Sequence, residues 1–446
     1  MTRGCTALPA RILLAALVVL LFHPTAWAQF SRVDRDRAEM MLNVVAADVR
    51  ENYYDPKLHG VDWEAHVRQA KEGIAKAASV EEATMQIADL LAALNDSHTM
   101  FIPPRYATRV EYGWQFQMVG NRCFVTRVRP GSDAEVKGIH PGDEVTSIDR
   151  FVPDRDGILM FERALGMQPQ RVLQLGLVDA LTGKPRSISV ESKVIRAQTT
   201  LDKSDMERTM GREVSQDAFK PRVEEMGPEL MIVKFRNFVQ PGYEVEGLLE
   251  KAAAHKTLIV DLRGNTGGRE ETLQAWIGGL FENDIKIADR VRRKKTESFI
   301  AKGRRHPYTG KVIVLTDSNS ASAAEIFARV IQLEKRGIVM GDQSAGATME
   351  SKGFIHRDAG NRFVNAGVMH FGAMITEAEL LMSDGQSLEH NGVVPDEMVL
   401  PAPLDMANQR DPVMSRAAAM AGVKLSPEEA GKLFPYEWVK DWTYLH

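Results

Sequence analysis

The sequence predicts an α/β fold: a core of mixed, largely parallel sheet with flanking helices, preceded by a helical segment and a small β-rich module. Three observations predict it. After about residue 197, apolar runs alternate with helical stretches: Leu230-Met231-Ile232-Val233, Leu258-Ile259-Val260-Asp261-Leu262, Val312-Ile313-Val314-Leu315 and Ile338-Val339-Met340. Strands apolar on both faces belong to parallel sheets covered on each side by helices. From about Tyr112 the texture is different, with short alternating strands such as Cys123-Phe124-Val125 and Glu144-Val145-Thr146-Ser147-Ile148 between Gly-rich turns. Residues 31–97 instead place Val80, Ala83, Ile87, Leu90, Leu91 and Leu94 at three- and four-residue steps, a helical pattern opened by Ser79 and Glu82 and ended at Asn95-Asp96.

The start of the chain reads as an export signal. Arg3 and Arg11 precede the apolar run Ile12 to Phe22, and Ala26-Trp27-Ala28 supplies the small-x-small pattern of a cleavage site. The run is shorter than the about 20 residues a spanning helix needs, so the expectation is cleavage before Gln29 and a soluble periplasmic or secreted protein; an uncut N-terminal anchor is the alternative. Four segments follow: a signal peptide over 1–28, a helical segment over 29–107, the β-rich module over 108–196 and the core over 197–446.

Composition excludes several functions. Losing Arg3 and Arg11 moves the formal charge from −4 to −6, which gives nucleic acid or an anionic membrane no reason to bind. Cys5 lies in the signal, leaving Cys123 alone in an alternating strand, so no internal disulfide forms and the thiol reads as a buried apolar residue. No Cys or His cluster has metal-ligand spacing and no phosphate-binding Gly loop is present, so no metal and no cofactor is expected.

Two segments carry residues suited to acyl transfer. Asp261-Leu262-Arg263-Gly264-Asn265-Thr266-Gly267-Gly268 follows a buried strand, and its glycines let the backbone turn and present amides to an oxyanion. Asp317-Ser318-Asn319-Ser320-Ala321-Ser322-Ala323-Ala324-Glu325 lies between a strand and a helix, where amides and the helix dipole favour negative charge. Ser322 with Glu325 is also an ordinary capping box, so by itself the second segment leaves cap and nucleophile open.

In this order the motifs resemble the C-terminal processing and tricorn-core serine peptidases, across the whole mature chain. The resemblance implies Ser322 as nucleophile, with Ala323 and Gly267 or Gly268 supplying oxyanion amides. Val128 to Asp143, with its Pro-Gly-Ser turn, short helix and Gly-x-x-Pro-Gly-Asp turn, resembles a PDZ domain. That resemblance makes Gly113, Trp114, Gln115 and Phe116 the peptide-binding loop, which would add a substrate tail to a sheet edge; a rigid lid is the other reading of such a module. Where processing peptidases have a lysine base, this chain has Ala347, and Lys352 lies five residues later. The tricorn-type branch implies a different base, His98 in Leu94-Asn95-Asp96-Ser97-His98-Thr99, whose imidazole titrates near neutrality. Glu389, in a Glu-x-x-Gly-Val-x-Pro-Asp tail motif, is then the orienting acid and Ser97 the fourth member. The expectation is an endopeptidase acting on polypeptides, with C-terminal tails as the candidate substrates. The replaced lysine leaves open a non-catalytic peptide- or ligand-binding relative on the same fold, or a subunit that needs a partner.

Overall fold

A computed structural model describes residues 30–104, 108–196, 220–358 and 369–436. The proposed signal peptide lies outside the described residues. Among those described, no helix is long and apolar enough to cross a membrane.

Three helices open the chain: α1 (Arg32–Asn52), α2 (Trp63–Lys76) and α3 (Val80–Ala92). Ser31, Asp62 and Ser79 cap them, each accepting a bond from a first-turn amide. The apolar stripe read from the sequence is the stripe that packs: Ala83, Ile87, Leu90 and Leu91 are buried with Leu42, Val45 and Ile74. Strand β1 (Met100–Ile102) follows, and then β2 (Thr108–Glu111).

The β-rich module comprises β3 (Trp114–Val119), β4 (Arg122–Val128), helix α4 (Asp133–Val136), β5 (Glu144–Ile148), α5 (Ile158–Met167), β6 (Val172–Val178) and β7 (Pro185–Glu191). Its strands form one antiparallel sheet in chain order, β3 to β7, around a separate core that includes Trp114, Cys123, Val125, Ile148 and Leu175. Cys123 is a free, buried cysteine, and burial pushes its thiol up to about 12, consistent with packing rather than reactivity. Strand β8 (Lys193–Arg196) pairs with β2 and leads out of the module.

The core begins with β9 (Arg222–Met226) and β10 (Leu230–Lys234), followed by α6 (Gly242–Ala252), β11 (Thr257–Asp261), α7 (Glu270–Gly278), β12 (Ile285–Arg292), β13 (Thr296–Ala301) and β14 (Lys311–Thr316). It continues through α8 (Ala323–Leu333), β15 (Gly337–Gly341), β16 (Met349–Asp358), β17 (Met369–Met382) and β18 (Glu397–Met398). Three helices end the described residues: α9 (Pro403–Ala407), α10 (Pro412–Met420) and α11 (Pro427–Ala430). One sheet has the order β18-β15-β14-β11-β10-β9, parallel except where β9 meets β10. Alternate residues of β10 serve two cores: Met231 and Val233 pack with α6 to α8, while Leu230 and Ile232 pack with α10 and α11. This is why the strand reads as one unbroken apolar run.

The first sheet is the mixed, largely parallel one expected, and a second sheet that the sequence reading did not include stands beside it. Strands β1, β17, β12 and β13 pair antiparallel in that order, with β16 also on β17. Strand β17 joins two cores: Phe371, Ala373 and Ile375 pack on α1 to α3, and Leu380 and Met382 enter the main core.

Candidate active site

Three connections converge at the carboxyl end of β14. The turn from β14 into α8 carries Ser322, the link from α3 to β1 carries Ser97 and His98, and the link from β17 to β18 carries Glu389. Pairing of β1 with β17, Met100 opposite Met374, fixes the second against the third.

Ser322 has φ 55° and ψ −119°, a conformation costly for a residue with a Cβ. The surroundings hold it there. Its amide donates to Ala347 O at 2.9 Å and to Glu325 Oε2 at 3.0 Å. The Glu325 carboxylate also accepts from Ser344 Oγ, Gly346 N, Ala347 N and Thr348 Oγ1 at 2.6 to 2.9 Å. It is fully buried, and burial raises its pKa against those donors. Only the carboxylate half of a capping box forms, because the Glu325 amide bonds to the Ser322 carbonyl, at 2.9 Å. The hydroxyl of Ser322 is therefore not used as a cap and points at His98.

His98 Nε2 lies 3.3 Å from Ser322 Oγ, and His98 Nδ1 lies 2.7 Å from Ser97 Oγ. Ser97 Oγ is 2.8 Å from Glu389 Oε2, while the Ser97 and Thr348 amides donate to the two Glu389 oxygens at 2.7 and 2.8 Å. Proton bookkeeping assigns the tautomer. An ionised Glu389 takes the Ser97 hydroxyl proton, so Ser97 Oγ accepts from Nδ1–H, and Nε2 is left with the lone pair that faces Ser322. Burial raises the Glu389 pKa, while its bonds from Ser97 and Thr348 favour the ionised form. Burial lowers the His98 pKa to about 4, with Asp96 opposing and Arg163 assisting, so the imidazole is neutral at neutral pH.

The glycine turn packs against the serine. Gly267 has φ +92°, and a Cβ there would lie 2.6 Å from Ser322 Cβ and 3.0 Å from Ala323 N, so only glycine fits. One expectation needs correcting. The Gly267 amide donates to Asn265 Oδ1 at 2.9 Å and is not free to bind an oxyanion. No hydrogen bond occupies the amides of Gly268 or Ala323 among the described residues.

Lys352 lies elsewhere, on β16, exposed, with its Nζ 5.6 Å above the Phe354 ring. Gly113, Trp114, Gln115 and Phe116 are also not at the serine. They sit at the start of β3, Trp114 buried against Phe116 at 5.2 Å. They line a cleft of about 3710 Å³ whose wall includes Thr266, Ala321 and Ala347 beside Ser322. Among the described residues, no group of three His, Cys, Asp or Glu side chains is placed to hold a metal ion.

Two supporting residues escaped the sequence reading. Asp96, 1% exposed, accepts from the His98 and Thr99 amides and from Thr376 Oγ1 at 2.7 to 3.1 Å. The adjacent Asn95-Asp96 helix stop was its only signal. Arg163 of α5 donates to the Ser97 carbonyl, and nothing in the sequence links residues so far apart.

Residues 230–399 match the profile of Peptidase family S41. The chain is 26% identical over 273 residues to the tail-specific protease of Haemophilus influenzae, covering 56% of this chain and 36% of that one. It is 24% identical over 425 residues to a tricorn protease homolog of Streptomyces coelicolor, covering 88% of this chain and 33% of that protein. It therefore spans about a third of the length of these two. Against the carboxyl-terminal-processing protease of Synechocystis it is 24% identical over 422 residues, covering 89% and 88%. The crystal structure of mature CPAF superimposes with a TM-score of 0.61 at 14% identity, covering 84% of this chain and 94% of that one, so the fold is shared. The matched segment, residues 230–399, carries Ser322 and Glu389 and is similar to Peptidase family S41, while Ser97 and His98 come from the chain before it.

Proposed function

We propose that the chain is an exported serine endopeptidase that takes polypeptide substrates along the cleft and cleaves them through an acyl-enzyme on Ser322. The observation that carries this reading is the unbroken chain Glu389–Ser97–His98–Ser322, with His98 Nε2 3.3 Å from the serine hydroxyl. The match of residues 230–399 to Peptidase family S41 and the peptidase names of the relatives support the reaction class.

In this mechanism Ser322 Oγ attacks the substrate carbonyl carbon as its proton passes to His98 Nε2. The new oxyanion meets the Gly268 and Ala323 amides at the positive end of α8. His98 then gives the proton to the leaving amine, and water, activated by the same imidazole, hydrolyses the ester. Ser97 and Glu389 hold the tautomer and offset the charge of the transient imidazolium. The β-rich module, read as a PDZ domain, binds the substrate tail at Gly113 to Phe116, and C-terminal tails are the preferred substrates. Export follows from the reading of residues 1–28 as a signal peptide.

The test is Ser322→Ala. Casein hydrolysis should fall by at least about a thousandfold, with loss of fluorophosphonate labelling and an unchanged melting temperature. Unchanged hydrolysis would sink Ser322 as the nucleophile, and a wild-type protein that never labels would favour a binding protein.

A further inference from the structure

Along the same cleft, the segment Phe434-Pro435-Tyr436 sits in a group of arginines. The ring of Tyr436 lies 3.8 Å from Arg127 Cζ and 5.4 Å from Arg236 Cζ, and its hydroxyl accepts from Gln115 Nε2 at 2.9 Å. Arg222 donates to the Pro435 carbonyl at 2.8 Å, and its guanidinium stands 5.2 Å over Phe434. All of these residues line the cleft that reaches Ala321 and Ala347 beside Ser322.

What is unusual is the charge left unspent. Among the described residues, neither Arg127 nor Arg236 has an ion-pair partner or a side-chain hydrogen bond; their contact is with the ring. A guanidinium stacked on an aromatic face keeps its in-plane N–H donors directed outward, where they suit the two oxygens of a carboxylate. A clip that only fastened this segment would be expected to bury apolar surface or pair those charges. Two open donor forks around one ring instead describe a receptor. We propose that this arginine-lined end of the cleft is a subsite for an aromatic residue with a carboxylate beside it, and that the chain's own Phe434-Pro435-Tyr436 fills it in competition with substrate. The proposal rests on the reading of the cleft as the path of a polypeptide, and it adds a preference that Gly113 to Phe116 do not supply.

The experiment reads binding rather than turnover, so it can fail or succeed whether or not Ser322 is a nucleophile. In the full chain carrying Ser322→Ala, fluorescence anisotropy follows a labelled, C-terminally amidated peptide containing Phe-Pro-Tyr-Glu. Adding Tyr436→Ala should tighten binding about tenfold, the gain expected if the subsite is open one-tenth of the time in the parent. Tyr436→Phe, which keeps the ring and drops the Gln115 bond, should give a smaller gain. Arg127→Ala with Arg236→Ala should erase the gain, and a peptide with alanine for tyrosine should bind weakly to all forms. Unchanged affinity in both Tyr436 variants, or a lowered melting temperature without tighter binding, overturns the proposal and leaves Tyr436 a fastening.

Discussion

The core and the β-rich module are both sheets with helices, yet they are held by different forces. Every residue of β11 is buried, and β10 and β14 each have only one residue that is not. Their sheet is covered on both faces, so the turn holding Ser322 stands on a dry, densely packed base. In the module, β6 and β7 alternate, with one face left to solvent. The module meets the core largely through polar contacts. Gln117 Nε2 donates to Asp317 Oδ2 at 2.7 Å, Ser318 Oγ to the Met118 carbonyl at 2.6 Å, and Arg155 Nη2 to Asp342 Oδ2 at 2.7 Å. The contrast separates two tasks. The core stores the strain at Ser322, and the module rests on the loops around it by bonds that water can replace.

The harshest way to probe the core's side of this contrast is Glu325→Ala. It leaves the Ser322, Gly346 and Ala347 amides and the Ser344 and Thr348 hydroxyls without their common acceptor. Each buried donor left unsatisfied there costs about 1–3 kcal/mol. Thermal unfolding should show a large fall in melting temperature together with lost hydrolysis, because the φ of Ser322 loses its support. A fall of less than about 1 kcal/mol would mean that the dry core alone holds the serine.

The next effect belongs to the seam. His98 lies beneath Arg163 of the module, and burial lowers its pKa to about 4. A base must be neutral, so kcat/KM should stay flat as pH falls through 6.5 and drop about tenfold per unit only below about pH 4. The same shift has a stability sign. Between the unfolded value near 6.5 and the folded value near 4, the unfolded chain binds the extra proton, so stability is fully present above about 6.5 and is lost as pH falls toward 4. Arg163→Ala removes a neighbouring positive charge and should move the acid limb upward. An acid limb at 6.5 in the wild type would show that water reaches the imidazole freely.

Much of this is legible in the sequence. The apolar runs at 230–233, 258–262 and 312–315 announced a sheet buried on both faces, and the alternation at 144–148 announced one buried on a single face. The residues in Ser322, His98, Ser97 and Glu389 that meet in space were each marked by a local motif, a Gly-rich or Ser-rich turn or a helix stop. The second sheet was not legible. Strands β12 and β16 spend their outward positions on Arg290, Arg292 and Glu350, which pair with one another across strands, so their alternation is masked by charge. The engaged amide of Gly267 was equally hidden, because a sequence does not reveal that Asn265 folds back two residues to accept from it. Arg163 acts across 66 residues of chain, which no local pattern encodes, whereas Asp96 accepts from amides two and three residues on and was marked only as part of a helix stop.

The smallest effect discriminates most sharply between the two regions. Arg155 reaches the Gly120 and Gln343 carbonyls at 2.8 and 3.1 Å besides Asp342, so it joins the β3–β4 turn to the loop before Ala347. Arg155→Ala leaves Asp342 its bonds from the Gly120 and Gln343 amides, and the expected loss is about 1 kcal/mol. The loss should be local. Hydrogen exchange at amides of β3 and β4 should quicken about fivefold, while amides of β11 and β14 keep their protection, because a contact made only at the seam holds down only the less stable unit. If exchange instead quickened equally in β14, module and core would unfold as one, and the polar seam would be as much a part of the serine's foundation as the dry sheet beneath it.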